Sequence, residues 1–111
     1  MSAGRWHALF WAACAYALVM ALLPHPPRIP GDPDDKVQHI IAFAALAVLA
    51  RLAFPKTRTL ALLAGLSLFG ATIELLQTIP ELNRDGDPLD WLADTASAGL
   101  TLLGFRLLRR T

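Results

Sequence analysis

TLALLAGLSLFGATIELLQTI, residues 59–79, is a run of 21 residues with no proline and a single charged side chain, Glu74. A hydrocarbon layer about 30 Å thick is crossed by about 20 helical residues, with a working range of about 17–25. In lipid every backbone N–H and C=O must be satisfied inside its own segment, so a run of this length predicts a transmembrane helix. Three further apolar runs, 6–23, 37–54 and 91–108, are 18 residues each. All eight prolines fall between the runs, where a missing N–H and a fixed φ start or stop helices instead of breaking them. The expected architecture is one all-α membrane domain over residues 1–111. Its four transmembrane helices, about 6–23, 37–54, 59–79 and 91–108, form an antiparallel bundle, because a connection as short as Pro55–Arg58 makes its helices antiparallel neighbours.

Composition agrees. Of 111 residues, 55% are hydrophobic and 17% charged, against about 25% charged in soluble domains; the mean hydropathy is +0.46. Disorder is excluded, because it requires a polar, charge-rich chain. Ten Lys and Arg against nine Asp and Glu leave a net charge of +1, which provides no basic footprint for nucleic acid. The one cysteine, Cys14, cannot form an internal disulfide. It reads as a small buried hydrophobe, since Trp11 stands where a lipoprotein site wants an aliphatic residue. Arg5 and the small residues around 12–17 also resemble a signal peptide, but the apolar stretch is long for one and three more spans follow.

The cations set the orientation. With the N-terminus cytoplasmic, the inner side holds Arg5, Arg51, Lys56, Arg58, Arg106, Arg109 and Arg110, and the outer side only Arg28, Lys36 and Arg84. The positive-inside rule then puts both termini in the cytoplasm of a cell's inner membrane. All nine acids fall in an outer loop or the outer half of a helix, so any chemistry faces outward. Trp6 and Trp91 are expected at opposite interfaces, Ala13, Ala17 and Ala21 form a small-residue packing stripe, and His7 and His25 are expected in solvent.

Some acids have a plain reading. Asp32-Pro33-Asp34-Asp35 precedes the second helix and Asp87-Pro88-Leu89-Asp90 the fourth; both suit a helix start with an N-cap aspartate, a proline at the first position and an acid in the first turn. Capping does not cover the residues deeper in. His39 and Asp94 each lie seven positions beyond their Asp-Pro aspartate, about 10 Å down the helix. Glu74 lies six positions before Pro80 on a helix running the other way, at about 9 Å, with Gln77 on its face at i+3. Such groups inside a membrane face the bundle interior and find partners. They form either a polar knot between helices or a functional site.

Asp35-Lys36-Val37-Gln38-His39, then Glu74-Leu75-Leu76-Gln77, then Arg84 followed by Asp87, Asp90 and Asp94 and a last helix with Gly99 and Gly104, resembles the VanZ-like membrane proteins, whose pattern is D-K-x-x-H, E-x-x-Q and R-x-x-D…D-x-x-x-N. The likeness runs from Asp35 to Gly104; Asp94 stands where that family usually has Asn, adding a negative charge. The resemblance implies a membrane protein of the cell envelope linked to low-level resistance to the glycopeptide teicoplanin, and it brings no established reaction.

Three functions are open on these residues. In the first, His39, Glu74 and Asp94 are acid/base groups acting on an anionic lipid or cell-wall precursor. Asp35, Lys36, Gln77, Arg84, Asp87 and Asp90 then line the mouth, and Lys36, Arg84 and two helix N-termini favour the anion. In the second, His39, Glu74, Asp90 and Asp94 hold a divalent metal such as Zn²⁺, Mn²⁺ or Mg²⁺, which could bridge the acids to a phosphate. In the third, the chain is a non-catalytic membrane module assisting a partner.

Overall fold

A computed structural model describes residues 2–23, 35–82 and 88–109. The described chain is all-helical, with α1 Ala3–Leu22, α2 Asp35–Ala53, α3 Thr59–Leu76, a short 3₁₀ turn at Pro80–Leu82, and α4 Pro88–Arg109. Helix α1 starts three residues before its apolar run because Ser2 caps it, its hydroxyl accepting from the Arg5 N–H at 3.4 Å. Pro88 opens α4, a first-turn position where the missing N–H costs nothing.

The third helix ends three residues short of the expected 59–79. Beyond Leu76 the amides of Thr78 and Ile79 bond back three residues, to the carbonyls of Leu75 and Leu76. The Thr78 hydroxyl also donates to Leu75 O at 2.6 Å. The turn tightens there because Pro80 disfavours the α conformation in the residue before it.

Contacts near the helix ends give the directions. His39 near the start of α2 meets Asp94 near the start of α4, and Glu74 near the end of α3 joins them. His7 near the start of α1 packs on Phe54 after the end of α2, and Ala21 near the end of α1 meets Gln77 just past the end of α3. The helices therefore run up, down, up, down. Helix α4 packs most extensively on α2 and then on α3, while α1 lies mainly against α2. The centre is filled by Phe43, Leu46, Ala47, Ala50, Ile73, Ala98 and Leu102, whose alanines let the backbones approach closely. Ala13, Ala17 and Ala21 pack against this core from α1. One expectation changes here: His7 is partly buried, its ring centroid 4.5 Å from that of Phe54. Trp91, in the first turns of α4, turns its N–H onto α3, donating to Ser67 O at 3.0 Å.

The core is mainly apolar, but large apolar side chains also lie on the surface and several polar ones lie inside. Leu60, Leu68, Leu75, Leu100 and Leu108 are each about 70% exposed, while Glu74, Gln77, Asp90, Asp94 and Ser97 are buried. Helices α1 and α3 are long and apolar enough to cross a membrane. Over Val37–Ala53 α2 is apolar but shorter, and α4 carries Asp90, Asp94, Arg106 and Arg109. By length and composition, then, two of the four expected spans stand out. The charged first turns of α2 and α4 set the other two apart.

Candidate functional site

Three helices each contribute one side chain to a single buried spot. His39 lies just over one turn into α2, Asp94 in the second turn of α4, and Glu74 in the last turn of α3. The antiparallel placement of α3 brings its end to the starts of the other two. One ligand atom from each residue, an imidazole nitrogen and two carboxylate oxygens, lies within 4.8 Å of the other two. His39 Nδ1 stands 3.0 Å from Asp94 Oδ1 and 3.3 Å from Oδ2. The Asp94 side chain is fully buried and that of His39 is 10% exposed. With Asp94 ionised, Nδ1–H donates to it, the ring is fixed, and Nε2 becomes the acceptor nitrogen of the neutral imidazole.

The surroundings hold this arrangement. Asp94 rests against Gly70, four residues before Glu74 on α3. Ser97, one turn beyond Asp94, donates to Ile40 O at 2.7 Å and ties α4 to α2 beside His39. On the α3 side, Ser67 and Thr95 share a hydrogen bond of 3.0 Å. Buried groups like these are expected to find partners, and cross-helix hydrogen bonds of this kind contribute about 0.6 kcal/mol each in membrane proteins.

The remaining expected site residues divide. Gln77 is buried but faces α1, its Nε2 donating to Ala21 O at 2.9 Å. Its Oε1 is buried and has no hydrogen-bond partner among the described residues. Asp90 is buried in the first turn of α4, one turn before Asp94. Its carboxylate is not one of the mutually close donors, which number His39, Glu74 and Asp94 among the described residues. The four-ligand set that included Asp90 is thus reduced to three, because a residue one turn nearer the helix start is also displaced along the helix axis. Arg84 and Asp87 lie outside the described residues, as do the side chains of Asp35 and Lys36.

Two residues of consequence stand outside the expected set. Gly70 is an ordinary glycine in an apolar run until α4 is laid against it; its only mark is the i−4 spacing from Glu74. Arg51 is 5% exposed and closes the α2–α3 turn, its Nη1 donating to Phe54 O, Pro55 O and Thr57 O and its Nη2 to Thr59 Oγ1. A cation at the last turn of a helix followed by a short Pro-containing link is the pattern that points to such a cap.

One imidazole and two carboxylates in a dry setting can pass protons or hold a cation; an anion needs added positive charge. Comparison with protein-family models, with curated proteins and with solved structures finds no match for the chain.

Proposed function

We propose that this chain is an integral membrane protein resembling the VanZ-like family, crossing a cytoplasmic membrane four times with both ends inside. Its His39–Glu74–Asp94 site, open to the extracytoplasmic side, binds or acts on an anionic lipid headgroup or cell-wall precursor. The observation that carries this reading is an apolar surface around buried polar side chains. Leu60, Leu68, Leu75, Leu100 and Leu108 face outward while Glu74, Gln77 and Asp94 are buried. An aspartate at the centre of a membrane helix costs about 2.5–3.5 kcal/mol on insertion scales, and groups at that cost face the bundle interior and mark function. Seven of the ten Lys and Arg on one side of the bundle support the orientation. In this reading His39 and Glu74 exchange protons with the bound molecule, Asp94 orients His39, and Lys36 and Arg84 offset the ligand's charge.

The topology is tested by labelling. In a Cys14→Ala background, Gly86→Cys should react with an impermeant thiol reagent added to intact cells and Thr57→Cys should not. The opposite pattern would move the site to the cytoplasm and remove the envelope ligand.

The bonds Ser97–Ile40 and Ser67–Thr95 favour a second reading, a polar knot that holds a non-catalytic module together. Neutral replacements that keep hydrogen bonding separate the two, because packing tolerates them and proton transfer does not.

A further inference from the structure

We infer that His39, Glu74 and Asp94 are the three protein ligands of one divalent transition-metal cation of the Zn²⁺, Mn²⁺ or Co²⁺ type. The inference concerns the same site and rests on the preceding reading for the membrane setting alone; with an ion held, the three side chains would serve as ligands and not as proton carriers. Two observations lead to it. The first is the donor set: an imidazole nitrogen and two carboxylate oxygens from three different helices, each within 4.8 Å of the others. Metal–ligand bonds of about 2.1 Å put two ligands on one ion about 3.0–3.4 Å apart. The separation of His39 Nδ1 from Asp94 Oδ1, 3.0 Å, already falls there. An ion held there would take Nδ1 as its ligand, with the ring proton on Nε2.

The second observation is preorganisation. Asp94 is fully buried and rests on Gly70 and near Phe43, where any side chain at position 70 would intrude. Ser97 on Ile40 O fixes the neighbouring turn of α4 against α2. A site held by packed helices keeps its ligands within the narrow tolerance metal binding demands.

The donor types choose the class of ion. A nitrogen ligand favours transition metals over Mg²⁺ and Ca²⁺, which prefer oxygen alone. Three protein ligands leave at least one position for water or a ligand oxygen, as in catalytic and not structural centres. Such an ion would also supply the positive charge that lets an acidic site receive a phosphate or carboxylate.

The test uses the full chain purified in detergent or nanodiscs, stripped with chelator and titrated with Co²⁺ alone. The expected result is a visible ligand-field band saturating at one ion per chain, lost on adding Zn²⁺. Its apparent affinity should fall at least about tenfold in Glu74→Gln and in His39→Ala, since even outer-shell changes cost about 10–100-fold. A second measurement needs no site variant. The chain has three histidines, so on ¹⁵N-histidine-labelled wild type Zn²⁺ should shift the resonances of one ring, and that ring should persist in His7→Ala and His25→Ala. Folded protein that shows no band, or Zn²⁺ shifts on His7 or His25 in place of His39, overturns the site. Because the titration does not depend on which side of the membrane the site faces, an inverted labelling pattern leaves its outcome intact. A correctly inserted chain that binds no Co²⁺ removes the metal alone.

Discussion

Gly70 of α3 and Asp94 of α4 approach so closely that a Cβ at position 70 would stand 3.3 Å from Asp94 Oδ2 and 3.4 Å from Phe43 Cζ. A hydrogen there is what allows a carboxylate to lie fully buried between two helices. Alanine brings a helix-propensity gain of about 1 kcal/mol against a displacement of a few tenths of an ångström in Asp94 or Phe43. Gly70→Ala should therefore keep its melting temperature within a few degrees while weakening the site. Gly65→Ala, on the same helix with nothing within 4 Å of its Cβ, should raise the melting temperature by the same propensity gain and leave the Co²⁺ affinity unchanged. Thermal unfolding in detergent beside Co²⁺ titration reads the contrast, and equal behaviour of the two variants would rule out a role for the contact.

Glu74→Gln keeps the shape and one acceptor but removes the charge and the basicity. Glycopeptide susceptibility or envelope integrity in a host dependent on this protein should show activity lost. The amount of folded, membrane-inserted protein should stay near normal. Full activity, or a loss matched by loss of folded protein, argues for the polar knot.

Gln77 joins α3 to the last turn of α1 through Ala21 O at 2.9 Å, a carbonyl in the stretch of a helix that has no intrahelical donor. Gln77→Leu should cost about 0.6–1.7 kcal/mol. Limited proteolysis or hydrogen exchange should report the loosening at the end of α1, with α2–α4 little changed.

Arg51 serves four acceptors with two nitrogens. Loss of hydrogen bonds to a charged group costs about 1.5–3 kcal/mol, so Arg51→Ala should lower the unfolding midpoint clearly. Arg51→Lys should rescue little, because one ammonium cannot reproduce the planar fork.

Much of the helical content is legible in the sequence because apolar runs and prolines act locally. Residues 59–79 read as a helix from composition alone, and only the influence of Pro80 on its last three residues was underestimated. The common depth of His39, Glu74 and Asp94 follows from a fixed rise per residue counted from Asp-Pro and Pro80 landmarks. Azimuth around the helix does not follow from that count. Gln77 shares the layer yet turns to α1, while Asp90, one turn nearer the start of α4, stays outside the close donor set. Gly70 was silent because its role exists only once α4 is laid against α3, whereas Arg51, whose partners lie three to eight residues on, had a local pattern that went unread.

Helix α1 contributes one buried residue to the core, Phe10, and is pinned at its far end by a hydrogen bond spanning 56 positions. In synthesis from the N-terminus that separation is a delay: at about 5–20 residues per second, Gln77 emerges roughly 3–11 s after Ala21. Through that interval α1 has α2 to pack against but lacks the donor that ties down its last turn.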